Sequence, residues 1–210
     1  MAPLGRITLA LFLASLLSQP STAQRIALGL AAGPSTSGVV YGDNGSAHGQ
    51  RTSLSGGATV RSRLGNRVSI AGDLLFSSKG FTENEPLIQY TYFEVPLLVH
   101  LELGSQEARV QPYLGLGVAL AAMLKCRRSF VGVNGPHEDH CEQTQASNLN
   151  LVAITGYDVG QDYRLGIRIV AFSGAIVVEA RHSRGMVDIE PGHDTRNRFS
   201  ALTVGYELWR

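Results

Sequence analysis

The sequence predicts an all-β protein, an eight-stranded antiparallel up-and-down transmembrane β-barrel with short periplasmic turns and long extracellular loops. Three observations support this fold class. Eight segments alternate between apolar and polar residues, their charged residues fall opposite the large aliphatic ones, and the connections between them alternate between long and short. Successive side chains of a strand point to opposite faces. An even number of such strands, with short turns at one end and long loops at the other, is typical of bacterial outer-membrane barrels.

The segment 90–102 shows this alternation most clearly. Its first row consists of Phe93, Val95, Leu97, Val99 and Leu101. Its second row contains Tyr92, Glu94, Pro96, Leu98, His100 and Glu102. The first row can face hydrocarbon, whereas the second carries ionisable groups and belongs inside a barrel. Because proline donates no ladder hydrogen bond and a closed barrel has no edge strand, we expect a bulge or one lost ladder bond at Pro96.

The eight predicted strands cover residues 25–33, 54–64, 67–77, 90–102, 110–124, 157–169, 175–183 and 198–210. The start of the sixth strand is open, because residues 149–155 could extend it. About 9 to 11 residues suffice for a tilted strand to cross a bilayer, whereas globular strands average about 5 to 6 residues. The predicted strands therefore have the length of transmembrane strands. No segment keeps the period of an amphipathic helix.

Residues 1–23 have the features of a secretory signal peptide. Arg6 precedes an apolar stretch over residues 7–17, and the small residues Ser21 and Ala23 form a cleavage pattern. The apolar stretch is shorter than the roughly 20 residues of a transmembrane helix. We therefore predict a signal peptide over residues 1–23, an outer-membrane β-barrel domain over residues 24–210, and a location in the bacterial outer membrane.

The composition excludes several classes of protein. The formal net charge is +1, whereas a nucleic-acid-binding protein would show a basic stripe. The 24 glycines follow no period, which excludes collagen. No repeat or linker divides the chain, so we expect one domain. We expect a monomer in contact with the lipid bilayer and no nucleic-acid partner.

Charged residues at membrane depth all lie opposite the large aliphatic rows. They are Arg61, Asp73, Glu94, Asp162, Arg164, Arg168, Glu179 and Arg181. An Arg or Lys at the lipid-facing midplane would cost about 2 to 4 kcal/mol, and an eight-stranded barrel has an interior only wide enough for side chains. With four acids and four bases, we predict a packed interior network of ion pairs, including Glu94 with Arg181, and no water channel.

Glycines and aromatic residues fit the same arrangement. The inner-row residues Gly29, Gly33, Gly115 and Gly117 are expected to leave room for Tyr92, Tyr113 and the arginines. Aromatic residues are expected to form girdles at the two membrane interfaces. Phe76, Tyr90, Phe93 and Phe199 are predicted near the loop end, and Phe172, Tyr206 and Trp209 near the turn end.

The two cysteines, Cys126 and Cys141, both lie in the predicted long loop 125–150. In an exported chain, a disulfide that closes this loop is the first expectation. The cluster His137-Glu-Asp-His-Cys141 could instead bind zinc together with Cys126. Its spacing matches no standard zinc pattern, so we predict no metal site.

Two motifs invite a catalytic or cofactor-binding interpretation. His182 and Ser183, near Glu179, contain the residue types of a lipid hydrolase, but neighbours on a strand point to opposite faces. Gly115-Leu-Gly117 matches a fragment of a dinucleotide-binding fingerprint, yet no helix follows it. We therefore predict no catalytic residues and no cofactor.

Five short motifs give the chain a family resemblance. They are Asp73-Leu-Leu-Phe-Ser-Ser-Lys-Gly80, Tyr92-Phe-Glu-Val-Pro-Leu-Leu98, Pro112-Tyr-Leu-Gly-Leu-Gly117, Glu179-Ala-Arg-His-Ser183 and Leu202-Thr-Val-Gly-Tyr206. In this order and spacing they resemble the outer membrane protein β-barrel domain family often called PorT-like, which occurs in Gram-negative envelopes. The resemblance covers essentially all of residues 24–210. It implies a small barrel and no catalytic residues.

The expected function is that of a non-catalytic integral outer-membrane barrel. A scaffold or surface-interaction role would be carried by loops 34–53, 125–150 and 184–197, since loops on a rigid barrel are common recognition sites. One alternative is an exported lipocalin-like barrel with a small hydrophobic ligand, but it requires an apolar lumen. A lipid-modifying outer-membrane enzyme is the third hypothesis, and it requires a convergent Ser, His and acid cluster.

Overall fold

The computed structural model describes residues 26–41, 47–82, 87–132, 135–140, 156–188 and 195–209, all in strands or the connections between them. The strands are β1 (Ile26–Tyr41), β2 (Ala47–Arg63), β3 (Val68–Thr82), β4 (Leu87–Glu102), β5 (Val110–Gly132), β6 (Gly135–His140), β7 (Gly156–Ala171), β8 (Gly174–Gly185) and β9 (Thr195–Trp209). Within these residues there is no helix with the length and apolar character needed to cross a membrane.

Eight of these strands close into an antiparallel barrel. Each pairs with its neighbour along the chain, β5 pairs with β7, and pairing of β1 with β9 joins the two ends of the chain. The short strand β6 folds back on residues 127–132 of β5, so it is an extension of one hairpin. The predicted fold class is therefore confirmed. A closed barrel leaves no sheet edge for unpaired backbone groups in hydrocarbon.

The short connections all lie at one end of the barrel, which we call the turn end. They join β2 to β3, β4 to β5 and β7 to β8. The opposite end, which we call the loop end, carries the longer hairpins. Backbone hydrogen bonds close the turn end: Leu64 donates to the carbonyl of Val68 at 3.0 Å, and Leu103 donates to that of Pro112 at 2.9 Å.

The predicted loop boundaries 34–53, 125–150 and 184–197 are wrong, because the strands continue into them. Residues 34–41 belong to β1, 47–53 to β2 and 125–132 to β5. Likewise β8 ends at Gly185 and β9 begins at Thr195. These stretches lack a strong apolar row, but the neighbouring strand supplies a hydrogen-bonded ladder. Residues 42–46, 133–134, 141–155 and 189–194 lie outside the described residues.

The two faces of the strands are the ones that the alternation predicts. On β4, Leu97 and Val99 are 52% and 55% exposed, whereas Glu94 on the opposite row is completely buried. The same division holds on β3, where Leu74 and Phe76 face outward and Asp73 is buried. The large aliphatic rows therefore form the outer, lipid-facing wall.

Two prolines interrupt the ladders without shifting the strands. Pairing between β3 and β4 stops opposite Val95 and Pro96 and resumes in the same register. Pairing between β1 and β9 stops in the same way at Pro34. The lost ladder contact expected at Pro96 is present on its β3 side. The bulge in this region lies instead between Thr91 and Tyr92, in the pairing with β5.

Three of the predicted girdle residues lie on the inner rows of the barrel: Phe199, Tyr90 and Trp209, whose ring lies 4.9 Å from the guanidinium carbon of the buried Arg61. Phe199 is 1% exposed and Tyr90 is 4% exposed, whereas Phe76 and Phe172 are exposed on the outer surface. Phe199 lies on the same row as the buried Asn197, so strand parity places it inward. There its ring lies 5.3 Å from Lys79 Nζ and 5.2 Å from the Arg181 guanidinium carbon. These cation–π contacts explain why a lumen with several cations also contains a phenylalanine.

Candidate functional site: the lumen and the outer wall

The lumen holds two clusters of ion pairs. The turn-side cluster consists of Arg61, Arg168, Glu102 and Glu207. Arg168 Nη1 lies 2.5 Å from Glu102 Oε2, and its Nε lies 3.5 Å from Glu207 Oε2. Arg61 contacts the same two carboxylates, at 3.4 Å from Glu102 Oε1 and through Nη2 to Glu207. Two arginines and two carboxylates therefore neutralise one another across four strands.

The loop-side cluster consists of Lys79, Arg164, Arg181, Asp73, Glu94, Asp162 and Glu179. Arg164 reaches three carboxylates, with Asp73 at 2.6 Å, Glu179 at 2.9 Å and Asp162 at 3.3 Å. Arg181 lies 2.7 Å from both Asp162 and Glu94. Lys79 contacts Glu94 at 2.8 Å. Asp162 therefore connects the two arginines.

Tyr113 joins the two clusters. Its hydroxyl donates to Glu179 Oε2 at 2.6 Å. Its ring stacks on that of His100 with a centroid distance of 4.8 Å, and the Arg168 guanidinium lies 3.9 Å from its centre. A side chain with an apolar body and a polar tip can pack between charged groups and still satisfy its hydroxyl.

Small residues on the inner rows create the space for these side chains. A Cβ atom at Gly166 would lie 2.3 Å from the Tyr113 ring, and one at Gly115 would lie 2.8 Å from the His100 ring. At Gly117 a Cβ atom would instead meet the backbone carbonyl of Leu97 at 2.0 Å. Glycine at positions 166 and 115 therefore leaves space for the Tyr113 and His100 rings. At position 117 it lets the neighbouring strand lie close.

All eight charged residues predicted for the interior lie in the lumen, and each has an ionic partner within 4 Å. The predicted set of eight omits Lys79, Glu102, Asp158 and Glu207, which are also buried in the lumen, although the alternation in segment 90–102 already places Glu102 on the inward row. These four fall at strand ends or in predicted loops. Each lies an even number of positions from an inner-row residue of the same strand, and this alternation is the sequence feature that could have identified them.

The buried charges are less evenly balanced than the predicted set. Among the described residues, buried carboxylates number seven and buried Lys and Arg side chains number five. One of the additional acids, Asp158, accepts a hydrogen bond from the Asn197 amide at 2.9 Å. The same amide also donates to the Tyr92 hydroxyl at 3.2 Å. A neutral amide therefore helps to accommodate this additional buried carboxylate.

A cavity of about 50 Å³ lies within the lumen. Its wall includes Asp73, His100, Tyr113 and Arg164. One water molecule needs roughly 10 to 15 Å³ of such volume, so this space can hold a few water molecules. Pockets for small organic ligands measure about 300 to 1,000 Å³. The cavity is therefore too small for a lipocalin-type ligand.

The candidate hydrolase residues lie on two different sides of the barrel wall. His182 is half-exposed on the outer surface, and its Nδ1 lies 2.9 Å from the Ser200 hydroxyl on β9. Ser183 and Glu179 are both buried in the lumen. The backbone sheet thus separates the imidazole from the serine and the acid that the sequence placed beside it.

The cysteine predictions involve residues that the structure describes only in part. Cys126 is buried on β5 in a cluster with Tyr90, Tyr92 and Met123. Cys141 lies outside the described residues, as do the side chains of residues 137–140. The disulfide between Cys126 and Cys141 therefore stays a prediction.

Comparison with known families agrees with the barrel geometry. A family model described as "Outer membrane protein beta-barrel domain" matches residues 17–189. The chain belongs to this family. It is a bacterial outer-membrane protein, and its apolar outer wall contacts the lipid bilayer. The narrower PorT-like assignment stays a prediction. No match was found among curated proteins.

Solved structures that match this chain are distant from it in sequence. Neisserial surface protein A is 14% identical, with 88% of this chain and 96% of that protein covered and a TM-score of 0.52. The attachment invasion locus protein Ail of Yersinia pestis is 14% identical, with coverages of 87% and 98% and a TM-score of 0.45. The outer membrane protease OmpT of Escherichia coli is 10% identical, with coverages of 93% and 100% and a TM-score of 0.47. The similarity to the Neisserial protein concerns the fold alone.

Proposed function

We propose that this protein is a non-catalytic outer-membrane scaffold that presents polar hairpins at its loop end to the cell exterior. The observation that carries the proposal is the lumen, in which ion pairs join strands across the barrel interior. Arg164 on β7 reaches Asp73 on β3, and Arg181 on β8 reaches Glu94 on β4. Such contacts fill the cross-section, so a conducting or ligand-binding lumen is disfavoured.

Polar contacts also join strands near the loop end. The Ser37 hydroxyl on β1 donates to the Gly80 carbonyl on β3 at 3.0 Å and accepts from the Gly80 amide at 2.9 Å. The Ser53 hydroxyl on β2 donates to the Ser78 carbonyl at 2.6 Å. These contacts connect β1 and β2 to β3 near the loop end, which supports a role in presenting the hairpins there.

The alternative functions have less support. A lipocalin-like function requires an apolar lumen, but charged side chains surround the cavity of about 50 Å³. A lipid-modifying function requires a hydroxyl, an imidazole and an acid in mutual reach. His182 instead contacts Ser200 on the outer wall, while Glu179 binds Arg164 and Tyr113 inside the lumen.

A first experiment tests whether the lumen is sealed. The purified protein, inserted in a planar lipid bilayer, is expected to give no stepwise conductance, because two clusters of ion pairs block the path. A general porin added to the same bilayer serves as the positive control. Stepwise currents whose size changes in Arg181→Ala or Arg168→Ala would show a lumen pathway and contradict the sealed scaffold.

A second experiment tests which end of the barrel faces outward. An epitope inserted between residues 133 and 134, in the β5–β6 hairpin, is expected to bind antibody on intact cells. The matched control carries the same epitope between Gln106 and Glu107 in the turn between β4 and β5. It is expected to bind only after the outer membrane is permeabilised. The reverse pattern would invert the orientation and remove the proposed presentation of the hairpins.

A further inference from the structure

One buried carboxylate of the lumen has no ionic partner among the described residues. Asp158 on β7 is 5% exposed, and no described Lys, Arg or His side chain lies within 4 Å of its carboxylate. The other six buried carboxylates each have such a partner. Lys79 acts on Asp158 electrostatically, but its ammonium group contacts Glu94 at 2.8 Å. Because a buried charge persists only with compensation, Asp158 requires a further positive group.

The two oxygens of Asp158 have different surroundings. Oδ2 accepts a hydrogen bond from the Asn197 amide at 2.9 Å. Oδ1 is buried and has no hydrogen-bond partner among the described residues. It lies beside Gly185 on β8, where a Cβ atom would be 3.2 Å from it. The absence of a side chain at Gly185 therefore leaves space next to an oxygen that still needs a partner.

A second buried oxygen without a partner belongs to Thr195 on β9. This residue is 2% exposed, and its hydroxyl has no hydrogen-bond partner among the described residues. Thr195 is the next inner-row residue after Asn197 toward the loop end. The Asn197 amide also donates to the Tyr92 hydroxyl at 3.2 Å. Oxygen-bearing side chains of β4, β7 and β9 therefore lie around Asn197, and two of their oxygens remain unsatisfied.

The chemistry of these groups suits a hard metal cation. Such cations prefer carboxylate, neutral oxygen and water ligands. Among the described residues, no group of three His, Cys, Asp or Glu side chains could hold a metal ion, which disfavours a zinc-type site. The buried charges point the same way, since seven described carboxylates are accompanied by five Lys and Arg side chains. A cation at Asp158 reduces this excess of negative charge.

We propose that the loop-end part of the lumen around Asp158 is a binding site for a hard metal cation, calcium or sodium. Asp158 Oδ1 is the charged ligand, the Thr195 hydroxyl is a neutral ligand, and water molecules complete the coordination. The bound cation connects β7 to β9 beyond Gly185, where the described pairing of β7 with β8 ends. A metal ion is far smaller than an organic ligand, so the site is compatible with a lumen filled by ion pairs.

The test measures the thermal unfolding midpoint of the full-length folded protein in a non-ionic maltoside micelle after treatment with a chelator. Calcium chloride, sodium chloride and choline chloride are added at equal ionic strength. We expect the midpoint to rise with calcium or sodium and to change little with choline, because a ligand that binds only the folded state stabilises it. Tyrosine-sensitised terbium luminescence measures binding directly, and the stabilising cation is expected to displace the terbium.

Asp158→Asn is expected to abolish the rise of the midpoint and to weaken terbium binding about tenfold or more, since even an outer-shell partner typically contributes that much to metal affinity. Thr195→Val removes the hydroxyl at nearly constant shape and is expected to weaken binding less. The matched control is Asp188→Asn, which makes the same chemical change at an exposed carboxylate near the loop end. It is expected to keep the full response to the cation.

All variants are first checked for the heat-dependent gel mobility of a folded barrel. Without added cation, Asp158→Asn is expected to be at least as stable as the original protein, because it removes a buried charge without an ionic partner. Equal stabilisation by choline chloride, a full cation response in Asp158→Asn, or equal losses in Asp158→Asn and Asp188→Asn would overturn the proposal.

Discussion

Replacing Arg164 by methionine is expected to lower the free energy of unfolding by about 3 to 5 kcal/mol, which is the usual cost of removing one partner from a buried ion pair. The substitution leaves Asp73 and Glu179 without the guanidinium that lies 2.6 Å and 2.9 Å from their oxygens. Asp162 keeps Arg181 at 2.7 Å. Urea-induced unfolding of the protein in lipid vesicles measures the change.

Two companion variants separate the loss of ion pairs from other effects of this substitution. Arg109→Met makes the same replacement at an exposed turn-end position and is expected to change the free energy of unfolding little. Arg164→Met/Glu179→Gln removes one of the abandoned carboxylates and is expected to regain part of the lost stability. If Arg164→Met and Arg109→Met were equally stable, the loop-side cluster would not stabilise the barrel.

Replacing Leu74 by arginine is expected to destabilise the barrel by about 2 to 4 kcal/mol, the cost of a lipid-facing arginine near the midplane. Leu74 is 51% exposed on the outer row of β3, halfway along the strand. Its backbone lies next to the buried Asp73, but its side chain points the other way. The free energy of unfolding in lipid vesicles is again the measured quantity.

The depth of the substitution provides the control for this prediction. Val68 starts β3 at the turn end and is also exposed on the outer row. Val68→Arg is expected to cost only about 0 to 1 kcal/mol, since the penalty falls toward the interface. Leu74→Met tests the change of shape without charge. Equal costs for the two arginine variants would mean that this wall does not face hydrocarbon.

The face of each residue could be predicted because a strand has a period of two. The alternation alone places Glu94 and Leu97 on opposite sides of the strand. In the structure Glu94 is buried in the lumen and Leu97 is exposed on the outer wall. The same reasoning placed Arg168 and Arg181 inside. Phe199 was misplaced because its aromatic character was given more weight than its parity, although the buried Asn197 lies two residues before it.

The ends of the strands and the partners of each charge could not be predicted in this way. Polar stretches such as 47–53 have little strand preference of their own, and the neighbouring strand decides whether they extend. Which carboxylate each arginine contacts depends on how far neighbouring strands are staggered around the barrel. The distances from Arg164 to Asp73 and from Arg168 to Glu102 follow from that stagger, which no local pattern encodes.

The alternation of residues determined by itself that this chain forms a barrel, which rows face lipid and which charges lie inside, because exchanging the rows would expose ionised groups to hydrocarbon. Only the tertiary structure decided how far the hairpins extend and which carboxylate each arginine contacts. Those features arise from the register between strands, and register is a property of the closed sheet.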